Sequence, residues 1–231
     1  MFTSNQCIYC QHQLYWLSDG MVKCSACKKK YSPSRINQIK QLIKLFCDDE
    51  NALTASNTLQ LSYTTVLKYY QNFRHLLAEY CETQYHLNRT EESQYEEYLY
   101  LEKSKRHNKK AIFDSHNFLT FGYGNNVYTL LMPSLGMYKQ QFLEDNLEGV
   151  YYKEFSKFMR TSKLIKISEH DNVITRFWHY FETFITTFKG VSDEFFPFYL
   201  KEAEFKFNTP VQERSKVLEQ LYFVKTANAP L

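Results

Sequence analysis

Residues 171–208, DNVITRFWHYFETFITTFKGVSDEFFPFYLKEAEFKFN, constrain the fold of this chain more than any other stretch. Val173, Ile174, Phe177, Trp178, Phe181, Phe184, Ile185 and Phe188 recur at steps of three and four, the spacing of a helix with one broad buried stripe. Gly190 stops that helix. A second helical pattern, Phe195, Phe198, Tyr199, Ala203 and Phe205, runs to Asn208, and Pro210 stands where a helix can no longer continue. Two helices so rich in aromatic rings need a large apolar partner, and the preceding part of the chain is expected to supply a sheet.

The 231 residues suffice for one sizeable domain with one or two small modules, and 44% hydrophobic with 23% charged residues is a globular composition. No apolar run approaches the ~20 residues of a membrane span, and MFTSNQCIYC lacks a charged-then-apolar leader. The expected location is the cytoplasm, with no membrane partner. The net charge of +3 is carried in clusters at 28–30, 103–110 and 153–166. Such clusters suit phosphate contact and also occur as plain solvated faces.

Near the N-terminus, Cys7, Cys10, Cys24 and Cys27 form two C-x2-C pairs. Each pair is a knuckle that points two thiolates at one ion, and two knuckles complete a tetrahedral zinc site. A module this small buries too little core to fold alone, so a metal supplies much of its folding energy. Two disulfides and chance spacing are the other readings, and a cytoplasmic setting disfavours disulfides. Cys47 and Cys81 lack partners at knuckle spacing and read as semi-buried thiols. Lys28, Lys29, Lys30 and Arg35 beside the second knuckle favour phosphate contact.

From 36 to 81 the pattern is helical in three pieces: Ile36, Ile39, Leu42, Ile43 and Phe46; then 52–59; then a helix over 63–80 with Ser62 as its N-cap. Small Ser56 at the crossing, with Leu61 and Val66 between the helices, reads as a helix-turn-helix. In conventional docking Tyr63, Thr64, Thr65, Lys68 and Tyr69, at the start of the third helix, face the major groove. A three-helix bundle that binds no nucleic acid is the alternative.

Residues 86–93 read as a linker. Beyond it, Tyr95, Tyr98, Leu99, Tyr100 and Leu101 suggest a strand, and 111–121 and 127–132 two more, the last two separated by Gly122, Gly124, Asn125 and Asn126. A helix over 136–147, a strand over 149–152, a short helix over 155–159 and a strand over 164–167 complete the order βββαβαβαα. The predicted class is α+β and multi-module: a zinc ribbon (1–34), a helix-turn-helix (35–85), a mixed sheet flanked by helices (94–208) and a tail (209–231).

The run N-V-I-T-R-F-W, followed by K-G-V, F-P-F-Y-L-K-E and E-F-K-F-N, resembles the C-terminal signature of small bacterial insertion-sequence transposases of the DDE type. The resemblance implies an RNase H-like core, nucleoid-associated work on double-stranded DNA, and a homodimer. It also implies three carboxylates holding two divalent ions, Mg2+ or Mn2+. On this chain the first position falls on Glu96, within Q-Y-E-E-Y, the second on Lys153 and the third on Thr175. An ammonium repels the ion it should hold, and a neutral hydroxyl is a poor ligand for a hard cation. Glu154, Glu169, Asp171 and Glu182 are the neighbouring carboxylates.

The leading expectation is therefore a transposase-like protein that recognises duplex DNA through its zinc ribbon and helix-turn-helix, with Zn2+ in the ribbon and strand cutting lost. A Lys153–Glu96 salt bridge would stand where a metal once sat. An active transposase with a non-standard carboxylate site and a protein-binding zinc-ribbon adaptor are the alternatives.

Overall fold

The computed structural model describes residues 5–89, 94–102, 104–105, 109–140, 172–188 and 190–228. They form two compact units: Met1–Tyr80 with Thr209–Leu231, and Cys81–Asn208.

In the first unit, β1 (Leu14–Trp16), β2 (Val22–Cys24) and β3 (Lys30–Tyr31) make a small antiparallel sheet in the order β1-β2-β3. Gly20, at φ +74°, makes the β1–β2 turn, where the Leu17 N–H donates to the Met21 carbonyl at 2.9 Å. Helix α1 (Pro33–Cys47) starts at Ser32, whose side chain accepts from the Arg35 N–H, and Pro33 presets the first turn. It buries Ile36, Ile39, Leu42, Ile43 and Phe46, the stripe its periodicity announced. Helix α2 (Ala52–Leu59) is capped by Asn51 and ends on Gln60 in the left-handed region at φ 52°. Ser56 is buried, its hydroxyl bonded to the Leu53 carbonyl.

Helix α3 (Tyr63–Asn88) starts at Ser62, whose hydroxyl accepts from the Thr65 N–H at 3.2 Å. It runs past the expected end at 80 into the stretch read as a linker. Packing, not helix periodicity, extends it: Tyr85 stacks on Tyr128 at 4.0 Å, and the Tyr128 hydroxyl donates to Glu82 at 2.5 Å. Residues 209–231 differ from expectation too, because 211–228 form a helix rather than a tail. This helix (Val211–Asn228) buries Leu218 and Phe223 in the first unit, sets Tyr222 5.7 Å from Phe73, and ties Glu219 to Lys40 at 2.9 Å.

In the second unit, β4 (Gln94–Tyr100), β5 (His116–Tyr123) and β6 (Asn126–Leu131) form the expected meander, antiparallel, with β5 central. Residues 111–114, expected to begin the second strand, belong instead to a 3-10 helix (Lys109–Asp114). Another 3-10 turn (Leu135–Tyr138) stands where the helix over 136–147 was expected to start. The rest of that helix from 141, the elements over 149–152, 155–159 and 164–167, and Lys153 lie outside the described residues. Both described sheets are antiparallel; the expected mixed sheet depends on strands outside them.

Helices α4 (Val173–Ile185) and α5 (Phe196–Asn208) cover one face of the sheet. Tyr98, Phe118, Val127, Phe177, Trp178, Phe181 and Phe196 form the core between them. The Trp178 indole N–H donates to the buried Thr120 hydroxyl at 2.9 Å, fixing the ring's direction. The Cys81–Asn88 part of α3 lies against the other face, with Tyr85 between Phe121, Tyr123 and Tyr128. The helix following α5 is α6 (Val211–Asn228).

Candidate functional site

The four cysteines come together as their spacing requires. Cys7 opens the first knuckle directly after the Gln6–Gln13 β-bridge and Cys24 ends β2, so short β pairing leads into both knuckles. The four sulfurs all lie within 4.8 Å of one another, with Cys7–Cys27 at 3.7 Å and Cys10–Cys24 at 3.4 Å. Four thiolates about 2.3 Å from a zinc ion stand about 3.8 Å apart, so the cluster has the dimensions of a tetrahedral metal site. These separations are far beyond a disulfide bond of about 2.05 Å, and all four cysteines are free. The Tyr9 N–H points at the Cys7 sulfur at 3.5 Å and the Ala26 N–H at the Cys24 sulfur at 3.4 Å, stabilising thiolate in each knuckle.

Burial pushes the Cys7 thiol up and the Cys27 thiol up to about 12, while the His12 backbone N–H leads in drawing Cys10 down to about 6. Sulfurs so close cannot all ionise without a cation among them. Cys7, Cys10, Cys24 and Cys27 would hold that ion, which ties the knuckles together.

The residues assigned to nucleic acid belong to the same unit. Lys28 is exposed, its ammonium on the Ser25 carbonyl at 2.5 Å; Lys29 lies over the Tyr9 ring at 5.0 Å; Lys30 pairs with Asp19 at 2.6 Å. Arg35 is exposed in the first turn of α1. Tyr63, Thr64, Thr65 and Lys68 are exposed at the start of α3, while Val66 between them is fully buried. Tyr69 differs from these: half-buried, it sets its ring 6.1 Å from Phe73 and 6.4 Å from Tyr222, so packing holds it.

In the second unit, two of the three positions compared with a metal-binding triad come close together. Glu96 lies on the sheet face that carries the helices, opposite Thr120. Its Oε1 accepts from the Asn172 side-chain amide at 3.0 Å. Asn172 is the N-cap of α4 and Thr175 its third helical residue, and each side chain accepts from the other's backbone N–H. Gly122 makes this approach possible, since a Cβ there would stand 2.9 Å from Val173 Cγ1 and 3.3 Å from Ile174 Cγ1. Glu182, two turns along α4, accepts from the Tyr98 hydroxyl at 2.6 Å and is not near Thr175.

The sequence reading missed the polar contents of α5. Glu202, Glu204 and Lys206 are all buried: Lys206 pairs with Glu202 at 2.8 Å, and Glu204 accepts from the Thr129 N–H and hydroxyl at 2.8 and 2.6 Å. Asn208 bonds both the N–H and the carbonyl of Val127 on β6, at 2.8 and 2.6 Å. The signal was there in K-E-A-E-F-K-F-N, whose charges share turns with aromatic residues instead of forming an outer face.

Fold and site together define an α+β protein with an N-terminal four-cysteine cluster that can bind a metal ion. No family model, curated protein or solved structure matches the chain. No helix among the described residues is long and apolar enough to cross a membrane.

Proposed function

We propose that this is a transposase-like, zinc-containing DNA-binding protein whose strand-cutting chemistry has been lost. The observation that carries DNA binding is the start of α3. A Ser62-capped turn presents Tyr63, Thr64, Thr65 and Lys68 to solvent on a helix anchored by buried Val66, Tyr70 and Phe73. Its three-helix setting, with a tight α2–α3 turn closed by Gln60, supports the reading of a groove-reading helix. Zinc is the ion of choice for four thiolates in two knuckles.

The loss of cutting rests on the cluster at α4. Of the two described triad positions, Thr175 spends its hydroxyl on the helix cap, and the Glu96 carboxylate is held by a neutral amide. That arrangement supplies one carboxylate where a two-ion site needs several. The family resemblance of the α4 and α5 motifs supports a core of RNase H-like descent, with a homodimer as its working form.

The test is a mobility-shift titration of zinc-loaded protein on duplex DNA, with Thr65→Ala/Lys68→Ala as its partner. Micromolar binding that weakens at least tenfold in the double variant is expected. A wild-type protein that shifts no duplex at low salt would overturn DNA binding. Magnesium- or manganese-dependent nicking that disappears in Glu96→Ala would overturn the loss of cutting.

A further inference from the structure

The ribbon carries a row of side chains with no part in the metal centre. The β1–β2 register pairs Tyr15 with Lys23, and the β2–β3 register pairs Lys23 with Lys30. Residues directly opposite in an antiparallel sheet share a face, so Tyr15, Lys23 and Lys30 form one line across all three strands. Leu14, Trp16, Val22, Cys24 and Tyr31 alternate with them and occupy the reverse face, where all but Trp16 are buried and the Cys24 sulfur lies.

These lysines therefore point away from the negative thiolates and do not serve to neutralise them. Tyr15 is 43% exposed, a large ring left partly in water. Lys23 has no ion-pair partner among the described residues. Lys30 holds Asp19, the one acidic residue of the ribbon, but both side chains are about half exposed, and such a surface pair exchanges readily for a phosphate. Exposed Lys28 extends the positive charge at one end.

We infer that the Tyr15–Lys23–Lys30 face of the ribbon is a second DNA contact, a clamp on the sugar-phosphate backbone separate from the base-reading start of α3. The inference rests on the DNA-binding reading above and specifies what the ribbon grips. The ammonium groups of Lys23 and Lys30 meet neighbouring phosphates of one strand, and the Tyr15 ring packs on the sugar between them or donates its hydroxyl to a phosphate. Such contacts set orientation and carry no sequence information. The face thus contributes affinity equally on every duplex, and sequence preference comes from α3.

The experiment compares zinc-loaded full-length protein with Lys23→Gln/Lys30→Gln, with Tyr15→Ser and with Thr65→Ala/Lys68→Ala. Each is titrated onto mixed-sequence DNA duplexes at several salt concentrations. All three lysine and tyrosine positions are exposed or partly so, and zinc content with circular dichroism verifies that the ribbon remains folded. Each lost phosphate contact removes about 0.9 from the slope of log K against log salt, so the double lysine variant should bind with a slope shallower by about 2. Its loss should be the same on every duplex, and Tyr15→Ser should weaken binding severalfold without changing the slope. Wild-type slope and affinity in the ribbon variants, with binding lost in the α3 variant, would overturn the clamp and leave DNA binding standing. No duplex binding by wild-type protein would overturn both, and capture of a protein by the ribbon face in that case would assign it to a protein partner.

Discussion

Gly122 and His116 show how much a single position on β5 controls. At Gly122 the absent side chain is what lets the start of α4 lie against the sheet, with the Glu96–Asn172 bond beside it. Gly122→Ala forces a methyl group to within 2.9 Å of Val173 Cγ1, and overpacking of this kind costs about 1–3 kcal/mol. Urea denaturation should show that loss, and Gly122→Ala/Val173→Ala should recover part of it. His116 stacks on Phe196 with ring centres 3.6 Å apart, and burial draws its pKa below the usual 6.5 although Asp193, at 3.5 Å, pulls the other way. With the folded value depressed, the unfolded chain takes the proton first as pH falls. The contribution is intact above about 6.5 and is lost between that value and the lower folded one. Stability should drop from pH 7 toward pH 5, and His116→Phe, which keeps the stack, should flatten that drop. An unchanged pH profile in the variant would remove His116 from this account.

Among the elements, α1 and α4 were legible from their apolar stripes and the start of α3 from its Ser62 cap, while the caps at Ser32, Asn51 and Asn172 came to light only in the structure. The meander was legible from the turn at Gly124, with residues 111–114 of the 3-10 helix Lys109–Asp114 absorbed wrongly into a strand. Helix α6 was not legible as a packed helix. Its Val211 and Val224 are exposed while Leu218 and Phe223 are buried, so no clean apolar stripe separates inside from outside. The end of α3 was missed for a related reason, since Glu82 and Tyr85 earn their place through Tyr128, distant in sequence. If α6 is part of the first unit, Phe223→Ala should cost about 3–5 kcal/mol, as for other buried phenylalanines. A dispensable tail would show no change in its thermal melt. The cysteine cluster was the most legible site, because metal geometry dictates spacing; the α5 network was the least, because only tertiary packing turns its charges inward.

For the whole molecule, the two tryptophans report on separate units: Trp16 is 60% exposed on β1 of the first unit and Trp178 is 3% exposed in the second unit. Chelation should free the four knuckle thiols to a thiol reagent, since a small metal-held module loses its fold with its ion. In a Trp16→Phe background, the remaining Trp178 emission should stay that of a buried indole throughout. A red shift on chelation would mean that the second unit also depends on the metal. The first unit is built from two segments, Met1–Tyr80 and Thr209–Leu231, with all of Cys81–Asn208 between them. During synthesis, Met1–Tyr80 therefore emerges before the second unit and is completed only after it. It waits on the ribosome, α1 and α3 still missing the side chains of α6, while the intervening unit is made, and the order of completion runs opposite to the order of translation.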